Sequence, residues 1–210
     1  NPKQAIVSTS IDANYSNTDW RVSISVPPSI HEESEILKPL MLTDQGANKT
    51  AKMIFPFTPT ILLGHSANYS QIAPTHTNYP YNAYENSQVD NMTITGEFYS
   101  ENNKDAEYWV AVLHFLRSVT KMYYGDSNPQ GNPPPVCRLN GYGPHVLNNI
   151  PIVVQNFTTD LPADVDYIEC IVDGHKNFVP TQCQFTVTVM PQYSRRSTAC
   201  LLYTSDAADE

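Results

Sequence analysis

The chain is 210 residues long, 40% of them hydrophobic, with a formal net charge of −9, enough to bury a sizeable core within one large domain. An acidic balance with no basic cluster beyond Arg195 and Arg196 speaks against sequence-independent nucleic-acid binding, which neutralises phosphates with grouped Lys and Arg. No apolar run approaches the roughly 18 residues of a membrane-spanning helix.

Residues 1–18 are rich in Ser, Asn and Thr and read as a flexible lead-in, or the tail of a lost segment, ahead of a single domain over 19–192. In the stretch from Trp20 to Val26, Trp20, Val22, Ile24 and Val26 alternate with Arg21, Ser23 and Ser25, which is the period of a half-buried strand. Pro27-Pro28 stops it. Residues 29–52 have no period, hold a short apolar knot over Ile36–Leu42, and read as a long loop with one turn of helix. Met53–Phe55 reads as an edge strand or a strand start, because Pro56 follows, and Thr60–Ser66 as a short buried strand. From Ala67 to Gln88 the chain is a Tyr-, Asn- and Pro-rich tract with little alternation, and reads as a long loop.

The stretch from Val89 to Gly125 is the most strongly patterned. Met92, Ile94 and Phe98 fall on one face of a strand and Thr93 and Thr95 on the other, with Gly96 relaxing the strand. An amphipathic helix over about 104–124 follows, with Trp109, Val112, Leu113, Leu116, Val119 and Tyr123 in one apolar stripe at steps of three and four. Asn102 or Asn103 suits its N-cap, Asp105 and Glu107 its positive end, Arg117 and Lys121 its negative end, and Gly125 its close. This stripe is the expected core of the domain.

Beyond it, DSNPQGNPPP forces a turn and an extended segment. Val136–Leu139, Pro151–Thr159, Asp166–Val172 and Thr181–Met190 read as strands, with a turn at Asp173–Asn177. The last of these alternates Cys183, Phe185, Val187 and Val189 against Gln184, Thr186 and Thr188. Residues 193–199 read as a truncated end. Residues 200–210, CLLYTSDAADE, look like a translated sequencing adaptor and are set aside from fold reasoning; a genuine acidic C-terminus is the alternative. Asp206, Asp209 and Glu210 account for three of the nine net negative charges. The expected class is α+β: seven or eight mostly antiparallel strands in sandwich- or barrel-like sheets around one helix.

Chemistry is sparse. With Cys200 in the adaptor-like tail, Cys137, Cys170 and Cys183 form an odd set without a close pair, which fits buried reduced thiols better than a zinc site; a Cys170–Cys183 bridge is the alternative. The histidines His31, His65, His76, His114, His145 and His175 show no metal-ligand spacing, and no nucleophile elbow or phosphate-cradling loop is present. Asp160, Asp164, Asp166 and Glu169 crowd together without matching a calcium loop, and such runs commonly face solvent. Five Asn-x-Ser/Thr triplets, at Asn14, Asn48, Asn68, Asn91 and Asn156, read as chance in an Asn-rich chain. No catalytic, cofactor-binding or metal-binding residue is assigned, and the expectation is a protein without enzymatic activity. The tyrosines are more informative: Tyr69, Tyr79, Tyr81 and Tyr84 crowd one tract, as either a protein or glycan contact surface or a loop tucked onto its own sheet.

The order ITGEFYS, DAEYWVAVLHFLRSVTKMYYG, PPVCRLNGYG, IPIVVQNFTTDLPADVDYI and TQCQFTVTVM, covering about residues 19–192, resembles virion structural proteins of contractile-tailed bacteriophages of marine and cyanophage type. More narrowly it is similar to the tail-tube-like baseplate proteins that start or cap the tube. That resemblance implies two sheets packed on one helix, homo-oligomeric rings with six-fold arrangement, contacts with other tail and baseplate proteins, no cofactor, and location in the virion tail after assembly in the bacterial cytoplasm. A mildly acidic chain also suits a lumen through which DNA passes without sticking. The sequence departs from the family in showing no legible long stacking hairpin. A host-attachment or glycan-binding β domain of a virion is the alternative reading.

Overall fold

The computed structural model describes residues 20–26, 35–43, 49–76, 78–125, 128–143 and 145–193. The lead-in at 1–18, the end at 194–199 and the adaptor-like tail at 200–210 lie outside the described residues, as do His31 and the triplets at Asn14 and Asn48.

Among the described residues the chain is β-rich α+β. Its strands are β1 (Ser23–Ser25), β2 (Met41–Thr43), β3 (Lys49–Ile54), β4 (Thr60–Leu62), β5 (His65–Ile72), β6 (Tyr81–Val89) and β7 (Met92–Tyr99). After the helix α1 (Asn103–Val119) come β8 (Tyr123–Gly125), β9 (Asn128–Asn132), β10 (Cys137–Gly141), β11 (Leu147–Thr159), β12 (Tyr167–Val172), β13 (His175–Pro180) and β14 (Gln182–Pro191). Eight strands form one antiparallel sheet in the order β2-β3-β1-β10-β11-β14-β7-β4, and β5-β6, β8-β9 and β12-β13 form separate hairpins.

The large sheet is not flat. Strands lie about 4.8 Å apart, so β3 and β7, five steps apart in the order, would be separated by about 24 Å in a planar sheet. Yet the ring of Phe55, directly after β3, packs edge-on to Phe98 of β7 with centroids 6.0 Å apart. The Tyr142 hydroxyl likewise donates to the Pro59 carbonyl (2.9 Å), tying the end of β10 to the entrance of β4. The sheet therefore curls on itself, and the inward residues of its two halves share one core: Ile24, Met53, Phe55, Ile94, Leu139, Ile152, Phe185 and Val187 are fully buried. Gly96 belongs to this contact. A Cβ there would sit 2.4 Å from the Phe55 ring, so the glycine makes room for an aromatic ring rather than merely relaxing the strand.

Helix α1 lies against this core. Trp109, Val112, Leu116 and Val119 are buried, and Leu113 is half-buried against the same cluster. Each of the large ones gains about 1.5–3 kcal/mol by leaving water. Trp109 packs on Phe185 at 5.8 Å and donates its indole N–H to the Cys183 sulfur. The stripe is wider than its sequence pattern suggests, since Tyr108, Phe115, Ala106 and Ala111 are buried as well.

Helix α1 also ends sooner than expected, at Val119 rather than near 124. Thr120 turns its hydroxyl back to the Leu116 carbonyl (3.0 Å), and the Lys121 N–H bonds the Ser118 carbonyl (3.1 Å), which satisfies the last turn without a glycine. Tyr123 consequently lies in β8, not on the helix. At the other end Asn102 is the N-cap residue but makes no side-chain cap bond.

Other boundaries also move. β3 begins at Lys49 and is flanked by β2 and β1, so it is not an edge strand; Pro56 falls beyond it, where no ladder bond is needed. The segment Thr60–Ser66 is not one buried strand. It divides at Leu63-Gly64 into β4, an exposed sheet edge, and the start of β5. Trp20 lies at the exposed end of its segment, against Tyr142 at 6.3 Å. The turn expected over Asp173–Asn177 is confined to Asp173 and Gly174, both with positive φ (51° and 74°), and β13 starts at once. That pair is the Asp-Gly signature of a two-residue hairpin turn.

Candidate assembly surface

The tract expected to be a long loop is a β-hairpin. β5 and β6 pair from His65↔Val89 to Ile72↔Tyr81, with an irregularity between Asn68 and Tyr69. Its base is fastened by the Asp90 N–H to the Gly64 carbonyl (2.9 Å) and by the Ser66 hydroxyl to the Asp90 carboxylate (3.1 Å). Further out, the Asn68 amide donates to Asn86 (2.7 Å) and the Tyr84 hydroxyl to Ser87 (2.8 Å). These bonds hold the hairpin to itself. Its residues are otherwise exposed on both faces, with only Ser66, Ser70, Ala83 and Val89 half-buried.

The hairpin replaces the expected long loop and decides against one of the two readings left open for its tyrosines. The four tyrosines do not tuck onto their own sheet: Tyr69, Tyr79, Tyr81 and Tyr84 are 60%, 83%, 65% and 59% exposed. Nor is a long hairpin missing; it was illegible because alternation appears only where one face of a strand is buried and the other wet. Register then sorts the side chains. Tyr69 stands opposite Tyr84, with rings 5.7 Å apart, and Ile72 opposite Tyr81, so the first pair occupies one face and the second the other.

Its composition is equally distinctive. Residues 65–89 contain one formal charge, Glu85, and no Lys or Arg. Exposed strands of monomeric proteins are commonly guarded by charge, Lys above all. Depletion of charge with enrichment of Tyr is instead the composition of an interface centre.

The described histidines are dispersed over the fold. His65 begins β5, His76 stands at the hairpin tip with φ 67°, His114 is exposed on α1, His145 lies between β10 and β11, and His175 begins β13. Asp160 accepts the Gln184 N–H (2.7 Å) and Glu169 pairs with Lys176 (2.7 Å), so these members of the carboxylate run fasten neighbouring strands. Among the described residues, no three His, Cys, Asp or Glu are grouped to hold a metal ion. Cys137, Cys170 and Cys183 are free and buried, so the alternative bridge between Cys170 and Cys183 is not formed. Burial pushes the Cys137 thiol up to about 12 and Cys183 to about 11, which keeps both protonated and unreactive near neutral pH.

The sequence places Tyr108 beside the helix stripe without revealing its role. Its hydroxyl donates to the Ile54 carbonyl (2.6 Å) and accepts the Ile54 N–H (2.8 Å), serving the stretch of β3 that outruns its partner β2. A polar tip on the edge of the apolar stripe was the available signal. No helix among the described residues is long and apolar enough to cross a membrane. No protein-family model matches the chain, and no curated protein matches it in sequence.

Proposed function

We propose that the chain is a non-catalytic structural subunit that assembles with copies of itself through the β5-β6 hairpin, as part of a phage tail or baseplate ring that starts or caps the tail tube. The observation that carries the assembly reading is a projecting hairpin with large side chains exposed on both faces and a single charge. A two-stranded ribbon without a covering layer is marginally stable in water, so a ribbon of this composition is best accounted for by a partner. The sequence resemblance carries the finer reading, with the virion tail as location and other tail or baseplate proteins as neighbours. Where that resemblance implies two sheets packed on one helix, the described residues form one eight-stranded sheet curled on itself, with one α-helix packed against its core.

Ring subunits use heterologous contacts that close by rotation, each burying more than about 1,000 Å². Negative-stain microscopy of the purified full-length protein tests the proposal. Six-fold rings or short tubes are expected. A persistent monomer that binds polysaccharide would favour the host-attachment reading instead.

A further inference from the structure

A hairpin that inserts into a neighbour needs a receiving surface elsewhere on the same chain. The β12-β13 hairpin supplies one. Its inner face, with Cys170 and Val179, is buried on the side of α1. Its outer face carries Tyr167, Ile171 and Phe178, exposed at 43%, 58% and 63%. Leu161 is similarly exposed in the adjoining connection, which the Tyr167 hydroxyl holds by a bond to the Pro162 carbonyl (2.9 Å). The only charges among the outward strand residues are Glu169 and Lys176, which neutralise each other at 2.7 Å.

Two features make a second copy the fitting occupant. The first is charge: at a net charge of −9 two copies repel one another, and both the β5-β6 ribbon, with Glu85 alone, and the outward strand residues of β12-β13, with their internal pair, add little to that repulsion, which on the acceptor side comes from Asp160, Asp164 and Asp166 in the adjoining connection. The second is area. At about 200 Å² for a full-sized side chain, the exposed parts of Leu161, Tyr167, Ile171 and Phe178 offer roughly 450 Å². Tyr69 and Tyr84 add roughly 240 Å² from one face of the ribbon, and Tyr79 at the tip roughly 170 Å². With the Asn, Ser and Gln residues between them, such a contact passes the ~1,000 Å² of a specific interface.

We infer that the outer face of β12-β13 is the acceptor for the β5-β6 hairpin of a second copy, so that subunits join head to tail. The inference rests on the assembly reading above and adds the identity of the receiving surface. A mixing experiment separates the two. Tyr69→Ala with Tyr84→Ala disables the donor and leaves the acceptor; Ile171→Asp with Phe178→Asp disables the acceptor and leaves the donor. All four positions are exposed, and circular dichroism verifies that each variant is folded. Light scattering should find each variant alone as a monomer, and an equimolar mixture as a species of twice the 23.5 kDa chain mass that grows no further. If the β12-β13 variant assembles like the wild type while the hairpin variant does not, the acceptor lies elsewhere and the inference fails although the assembly reading stands. If two monomeric variants fail to combine, the contact is not head to tail through this face. A monomeric wild-type chain overturns both.

Discussion

Tyr108 shows how much one hydroxyl can do in a curled sheet. Both polar groups of the Ile54 peptide are bonded to it, and burial pushes its phenol well above the ordinary range. Tyr108→Phe keeps the ring and strands both groups, so unfolding free energy in denaturant should fall by about 1–3 kcal/mol, whereas a change within a few tenths would show that water replaces the bond. The thiols give a pH prediction. Cys137 titrates near 12 in the folded protein against an ordinary value of 9.0, so above pH 9 the unfolded chain loses its proton first and stability falls as pH rises towards 12. Cys183 acts in the same direction up to about 11, while Lys52, lowered to about 8 by burial, acts oppositely between about 8 and 10.5. Cys137→Ala should therefore flatten the decline in unfolding free energy between pH 9 and 11. An unchanged slope would assign the decline to other groups.

At the scale of elements, α1 and the strands that it covers hold the fold. Leu116 is fully buried among Trp109, Val112 and the sheet, and Leu116→Asp places an unpaired carboxylate there. No soluble folded protein is expected from that variant; a soluble product with an unchanged thermal transition would contradict the placement of the helix. These elements were also the legible ones. In β7, β14 and α1 one side faces the core and the other faces water, so the residues repeat with the period of the backbone. β3, reaching from Lys49, was obscured because its first residues belong to a tract without a period. β13 was announced only by Asp173-Gly174, a two-residue signal. In β5 and β6 neither face is buried, so pairing left no hydrophobic period. The four tyrosines of that tract were still found, because composition marks a contact surface even where periodicity does not reveal its shape.

Among the described residues, a curled core buries its apolar side chains within itself, while the β5-β6 ribbon leaves its large side chains exposed on both faces. The central claim is that the ribbon is covered in the assembled protein. Hydrogen exchange measured across residues 65–89 at low and high protein concentration tests it most directly, because amides of an isolated ribbon open easily while covered ones do not. Protection of β5 and β6 should rise with concentration towards that of β7 and β14, and should be lost in the variant carrying Tyr69→Ala and Tyr84→Ala. Rapid exchange of the ribbon at every concentration, with the core sheet still protected, would contradict the account.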